Sequence, residues 1–308
     1  MKAKILVLFL ATCLLVGCNR LNRLPSSTGQ PYEVALVGDT DSVLTRMLLA
    51  DVEGLPQAEP MCRLIQVRKG HDKGLFSLVR IKVIVDVDRS NKGYDVLERK
   101  NVNAEPQMVL WIKARTVDQL RSKLDGRKLR ALIDDFELKH LVAVMKQNPK
   151  KQKEMKALFG LDMKIPVDMD ASKNGKNFRW ISNNANTGMQ SLLLFKVEGL
   201  ARLSQKGAEG KESLENAVDS VLRKNMPGET DEMFMQLSSM DYDPAAKIYR
   251  GLWEMKGDAM GGPYVMKVEG DIVVMGFVYA PEMKKKILTK QLEAVLTTVK
   301  FTPHAADN

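Results

Sequence analysis

The sequence predicts an α+β protein built as two tandem α/β sandwiches, with mostly antiparallel sheets and helices packed on one face. Three observations predict it. Each half of the chain gives strand-like segments first and helical segments after, the order expected when helices gather beside a sheet. The helical segments carry apolar residues at three-and-four spacing. The strand-like segments are short, and Asn174-Gly175 is a strong hairpin signal. The 308 residues are 44% hydrophobic and 28% charged, enough for about two globular domains. That composition excludes overall disorder and collagen-like repeats. Aromatics are 6%, but the 18 methionines fill core volume as well as leucine or valine would.

Residues 1–17 read as a signal peptide. Lys2 and Lys4 precede an apolar run from Ile5 to Val16. The run is too short to span about 30 Å of hydrocarbon comfortably, and it suits a signal h-region. Leu15-Val16-Gly17-Cys18 follows the bacterial lipobox pattern. Small Gly17 gives a peptidase access to the bond before Cys18. The Cys18 thiol can then take a diacylglycerol thioether, and several acyl chains anchor stably where one does not. Residues 18–31, rich in turn formers and without apolar period, read as the lipidated tether.

Residues 32–160 form the expected first domain. Strands are predicted at Tyr32–Val37, Cys62–Val67, Val79–Val87 and Met108–Lys113, with a short helix at Ser42–Ala50. Thr116 or Val117 starts more helix. The clearest helix runs over Lys128–Lys146, with Leu129, Leu132, Ile133, Phe136, Leu141 and Val144 on one face. Asn148-Pro149 reads as an N-cap followed by proline at the first helical position. Gly160 is placed to end that helix, whose inner face holds Met155, Leu158 and Phe159.

Residues 161–308 form the expected second domain. Strands are predicted at Ile165–Met169 and Phe178–Ile181, flanking a turn at Lys173–Lys176, then at Ser191–Val197, Ile248–Lys256, Tyr264–Val268 and Ile272–Tyr279. Helices are predicted at Lys211–Lys224 and Met283–Val299, the latter with Leu288, Leu292, Val295 and Val299 as its stripe.

Charge and chemistry point to few reactions. The net charge is +9, concentrated at Lys146–Lys156 and Lys284–Lys286, both on predicted helices where a solvated face is the plain reading. No aromatic-interleaved basic motif suggests nucleic acid. With Cys13 in the signal and Cys18 lipidated, Cys62 is the only thiol left, so no intramolecular disulfide is expected. Its alternating surroundings, Met61 to Val67, favour a buried small hydrophobe over a nucleophile. His71, His140 and His304 are far apart in sequence. Asp86-Val87-Asp88 and Asp168-Met169-Asp170 place two carboxylates on a strand face, but a divalent cation needs more converging oxygens. Met233-Phe234-Met235 suggests core filling rather than copper(I). No catalytic residues, metal ligands or cofactors are therefore assigned, and the chain is expected not to be an enzyme.

The remaining candidate is a surface. On the strand Tyr249–Met255, Tyr249, Gly251, Trp253 and Met255 share one face, and Arg250, Leu252 and Glu254 the other. Trp253 and Tyr264 beside Gly261 and Gly262 would stack on a sugar ring, with Arg250 and Glu254 as hydrogen-bonding groups. The competing reading makes Trp253 core and the glycines simple turns, and it is preferred because aromatic strand residues usually pack.

Arg250-Gly251-Leu252-Trp253, Met260-Gly261-Gly262-Pro263-Tyr264, Gly276-Phe277-Val278-Tyr279-Ala280-Pro281 and Gln291-Leu292-Glu293-Ala294 together resemble an uncharacterised lipoprotein family of Bacteroidetes, a domain of unknown function. Leu24-Pro25-Ser26-Ser27-Thr28-Gly29 is similar to that family's mature N-terminus. Phe178-Arg179-Trp180-Ile181, with Leu192-Leu193-Leu194, resembles its central segment. The resemblance implies an envelope lipoprotein and carries no catalytic residues. One departure is the neutral, Asn-rich stretch Ser182–Gly188, where relatives are more charged. Surface-exported lipoproteins of these bacteria resemble one another in an acidic signal after the cysteine. Asn19-Arg20-Leu21-Asn22 lacks it, which points to an outer-membrane anchor facing the periplasm. The expected function is binding or assembly, with the membrane and an envelope protein or glycan as partners. The alternative is an envelope hydrolase acting on glycan or peptide.

Overall fold

The computed structural model describes residues 23–204 and 210–301. The signal segment, Cys18 and His304 lie outside the described residues. The fold is α+β, and most strand pairs are antiparallel. Two compact units divide the chain. One holds the described residues up to Met47 together with Cys62–Gly126; the other holds Leu48–Met61 and the residues from Arg127 onward. The division thus falls at residues 126–127 rather than near 161. The physical reason is that the two helices before residue 161 put their apolar faces into the second core.

The first unit contains β1 (Glu33–Val37), α1 (Val43–Leu48, its last residue counted with the other unit), β2 (Arg63–Val67), β3 (Ile81–Val87), β4 (Asp95–Lys100), β5 (Met108–Ala114) and α2 (Val117–Lys123). Its five strands lie in the order β2-β1-β3-β5-β4. The antiparallel expectation fails for most of this sheet: β2, β1, β3 and β5 are mutually parallel, and only β4 runs against β5. Buried parallel strands read as continuous apolar runs, as Val34-Ala35-Leu36-Val37 does. Thr116 starts α2 by accepting the Gln119 N–H at 3.1 Å, while the Gln119 side chain accepts the Arg115 N–H at 2.8 Å. Each satisfies a backbone donor that the start of a helix leaves without a partner.

The second unit contains α3 (Gly126–Val144, its first residue counted with the other unit), α4 (Pro149–Phe159), β6 (Leu161–Asp162), β7 (Ala171–Gly175), β8 (Phe178–Ser182) and β9 (Met189–Lys196). There follow α5 (Leu200–Ser204), α6 (Lys211–Asn225), β10 (Phe234–Leu237), β11 (Asp241–Asp243), β12 (Ile248–Lys256), β13 (Gly261–Glu269), β14 (Ile272–Tyr279), α7 (Lys286–Thr297) and β15 (Lys300–Phe301). An antiparallel sheet runs β10-β12-β13-β14-β9-β8-β7, with β11 also on β12, and β15 pairs with β6.

Helices cover both faces of this sheet, not one. Leu192, Leu194, Val265 and Val274 meet α4 and α7 through Met155, Leu292, Val295 and Leu296. On the other face Leu193, Phe195, Tyr264, Met266 and Met275 meet α6 through Leu214, Val218 and Leu222. Strand alternation sends successive side chains to opposite faces, so a central strand with apolar residues at every position needs cover on both. Gly276 lets α7 approach: a Cβ there would lie 2.9 Å from Leu292 Cβ.

The expected strand at Ile165–Met169 does not form. Pro166 has no N–H for a ladder, and the segment bonds instead to the α3–α4 connection through Asn148 N–H to Ile165 O and Val167 N–H to Lys146 O. The hairpin uses β7 and β8, and its turn is Lys176-Asn177, with Asn177 at φ 54°. Asn148 and Gly160 bound α4 as expected. Asn148 accepts the Lys151 N–H at 3.1 Å, and Gly160 takes φ 66°. On α3 and α4, Leu132, Val144 and Leu158 are exposed, whereas Glu137 and Lys151 are buried.

The arm Leu48–Met61 belongs with this unit through α7. Within the arm, Val52 N–H donates to Glu59 O and Met61 N–H to Ala50 O. The Glu59 carboxylate accepts the Lys285 N–H at 2.6 Å and the Lys286 N–H at 3.3 Å, and Lys286 Nζ donates to the carbonyls of Pro60 and Met61. A carboxylate from far along the chain thus caps the positive end of α7.

Candidate functional site

The face division predicted for β12 holds, and it removes the stacking surface. Trp253 and Tyr264 are buried. Trp253 Nε1 donates to Val278 O at 3.1 Å, and its ring meets Phe277 edge-on at 5.1 Å. Tyr264 Oη donates to Ser239 O at 3.0 Å. Rings enclosed this way cannot stack on a sugar, so Arg250, Trp253, Glu254, Gly261, Gly262 and Tyr264 do not form the ligand surface: the two rings and the glycines pack, and Arg250 and Glu254 leave the other face. The glycines serve close approach: a Cβ on Gly262 would sit 2.1 Å from Val278 O, and one on Gly261 2.8 Å from Trp253 O. Glu254 is exposed and accepts from Gln236 Nε2 at 2.7 Å.

Arg250 leaves the opposite face and is tied into charged side chains. Its Nη1 donates to Asp243 at 2.6 Å and its Nη2 to Glu293 at 2.5 Å. Glu293 also takes Lys290 at 3.0 Å, and Lys290 reaches Asp134 at 2.7 Å. Glu293 and Lys290 are buried. Burial works against ionisation of Asp243, but Arg250 and the N–H groups of Ala246 and Ala245 hold its carboxyl below the usual carboxylate range. A cleft of about 400 Å³ opens beside this network, lined by Asp135, Leu138, Ala245, Lys267 and Thr297 among others. Its lining carries four carboxylates, Asp134, Asp135, Asp243 and Glu293, against the two cations Arg250 and Lys267.

A different crevice lies in the first unit. The chain steps from β1 outward to β2, then crosses to the other side of β1 for β3, so strand order reverses at β1. In open parallel sheets, ligands bind outside the carboxyl ends of the strands at such a switch point. A cleft of about 480 Å³ occurs there, lined by Gly38, Asp39, Thr40, Gln66, Val67, Arg68, Lys69, Val85 and Val87. Gly38 turns the chain at φ 78°, where a Cβ would stand 2.8 Å from Val85 O. The Asp39 carboxylate accepts the N–H groups of Leu44 and Thr45 at 3.2 and 2.8 Å, which fixes the loop after β1. Lys69 Nζ donates to Asp86 at 2.5 Å, and that bond, against a small burial effect, raises the lysine above its ordinary value. Valines floor the cleft, and Arg68, Lys69, Gln66 and Thr40 form its polar rim. It can hold a small polar group that needs donors and acceptors together.

None of the crevice's lining was singled out from the sequence. The available signal was the unbroken apolar character of β1 and β3, each followed by polar turn residues. The other candidates are not brought together, although Asp86 reaches the crevice through Lys69. Asp86 bonds Lys69, and Asp88 accepts the N–H and hydroxyl of Ser90. Asp168 and Asp170 are exposed in the loop after β6, His71 is exposed and His140 half-buried. Cys62 and Met235 are buried. Among the described residues, no group of three or more His, Cys, Asp or Glu side chains could hold a metal ion. No described helix is long and apolar enough to cross a membrane.

Fold and clefts together define a two-unit α+β protein with one largely parallel and one antiparallel sheet. Residues 148–298 match the family described as Domain of unknown function (DUF4837), and residues 27–148 match Domain of unknown function (DUF8532). No curated protein matches the chain. Among solved structures, a Bacteroides thetaiotaomicron VPI-5482 protein is similar at 13% identity and TM-score 0.24, over 48% of this chain and 47% of that one. The chain therefore spans about half the length of that relative. The extracellular domain of PknH from Mycobacterium tuberculosis is similar at 10% identity and TM-score 0.24, over 52% of this chain and 95% of that one.

Proposed function

We propose that this is an exported, lipid-anchored envelope protein of the Bacteroidetes lipoprotein type, held in the outer membrane and facing the periplasm, that binds an envelope glycan or protein rather than transforming it. Anchoring rests on Leu15-Val16-Gly17-Cys18 and the apolar run before it. The binding reading is carried by the crevice at the strand-order switch, whose mixed donors and acceptors suit a glycan fragment bearing carboxylates. The Arg250 network supports it in a second way, since those charges are engaged with one another in holding the fold.

Three measurements test the proposal. Cys18→Ala should release the protein from the membrane fraction; retention through high-salt and carbonate washes would refute lipid anchoring. Protease shaving of intact cells should leave the native protein uncut, and cleavage would place it on the surface. Titration of the purified chain with muropeptides should give saturable binding, weakened at least about tenfold, or about 1.4 kcal/mol, by Arg68→Ala with Lys69→Ala. Unchanged affinity would reject the crevice. Newly formed reducing ends or amino groups would replace binding with hydrolysis.

A further inference from the structure

The outer edge of the first unit's sheet is open. Every residue of β4 is exposed, including Val96 at 39% and Leu97 at 40%, and no described strand pairs with its far side. The direction of its peptide groups follows from the neighbouring strands. Met108 N–H donates to Arg80 O, and Ala114 O accepts from Asp88 N–H, so the even residues of β5 turn their peptide groups toward β3. The odd residues of β5 therefore face β4, and Asn101 N–H donating to Gln107 O continues that ladder. On β4 the odd residues Asp95, Leu97 and Arg99 are bonded to β5. The N–H and C=O groups of Val96, Glu98 and Lys100 point outward, which is the template for another strand.

We infer that this edge pairs with the β4 edge of a second copy of the same chain, antiparallel and about a two-fold axis at Leu97. A two-fold axis perpendicular to a continuous sheet keeps directly opposed residues on one face, so odd residues meet odd and even meet even. With the axis at Leu97, Val96 and Glu98 of one copy exchange hydrogen bonds with Glu98 and Val96 of the other. Leu97 meets Leu97, and Asp95 meets Arg99 on both sides. With the axis at Glu98, two carboxylates would oppose each other. The strand's charges are thus complementary to themselves in one register. Arg99 is already held on that face, its guanidinium 5.4 Å from the Trp111 ring, and Trp111 lies directly across from Leu97. Pairing makes a continuous apolar row, Trp111-Leu97-Leu97-Trp111, bracketed by two Asp–Arg pairs.

The test is sedimentation velocity of the full chain in mild detergent up to about 100 µM, well above a micromolar Kd. The parent chain should pass from monomer to dimer. Asp95→Arg and Arg99→Asp each place like charges in opposition, so each alone should stay monomeric. Mixed one to one, they should dimerise with each other, and the double variant D95R/R99D should recover dimer. A monomeric parent, single variants that dimerise as the parent does, or a mixture that stays monomeric would overturn the pairing. Disulfide trapping checks the register. Non-hydrogen-bonded antiparallel partners stand about 4.5 Å apart at Cα, within disulfide reach. Leu97→Cys should therefore form a covalent dimer and Glu98→Cys should not. Equal trapping at both positions would overturn the axis at Leu97.

Discussion

Arg250 and Trp253 occupy neighbouring positions on one strand and do opposite jobs. Trp253 belongs to a closed apolar layer, so Trp253→Ala should cost about 3–5 kcal/mol, as large aromatic truncations in cores do. A fall in the denaturant midpoint at unchanged slope is the expected result. From the sequence, Arg250 belongs at a solvent face or in a salt bridge, where its loss would cost little. Its partner Glu293 is buried on α7, however, and removing the guanidinium leaves that carboxylate with Lys290 alone. Arg250→Ala should therefore also cost about 3–5 kcal/mol, and the double variant Arg250→Met with Glu293→Leu should recover much of it. Asp243 contributes to the pH dependence. Its native pKa lies below the unfolded value of about 3.9, so its contribution is present above about pH 4 and is lost as the pH falls through the native value. Asp243→Asn should make the acid side of the stability profile less steep below about pH 4, read from thermal midpoints across that range.

At the scale of elements, the local rules performed unevenly. Asn148 and Gly160 bound α4 because caps act through backbone groups a few residues away, and such geometry is written in short strings. The cap of α7 has no such string. Lys285 precedes the helix without a side-chain cap, and Glu59 supplies the carboxylate from a separate arm. Glu59→Ala should lower stability by about 1 kcal/mol, within the 0.5–2 range for lost caps, and fray the first turn of α7. Faster amide exchange at Lys285 and Lys286, with the sheet amides unchanged, is the measurement. The strand β4 escaped notice for a related reason. Exposed on both faces, it shows no alternation of apolar and polar residues, and only its pairing with β5 defines it.

For the whole molecule, the division of the chain makes its own prediction. A fragment of residues 161–308, a natural choice from the strand-then-helix order, lacks Met155 and Phe159, which complete the layer under α7, and Leu138 and Leu141, which pack on Ala294. It also lacks Glu59. That fragment should show no cooperative thermal transition and should bind a hydrophobic dye, whereas the full chain should unfold cooperatively; a sharp transition in the fragment would refute this account of the second core.

What the sequence by itself determined is local. The three-residue and four-residue spacing of apolar side chains and the caps act over a turn of helix or a few bonds, so the α+β class, most elements and the two faces of β12 were legible. Only the tertiary structure decided strand order, the parallel pairing of β2, β1, β3 and β5, the helices on both faces of the second sheet, and the closing of the Arg250 charges on one another. Those features depend on contacts between residues tens to hundreds of positions apart. A buried apolar run is satisfied equally well by several neighbours, and the choice among them is made by the packing of the whole chain.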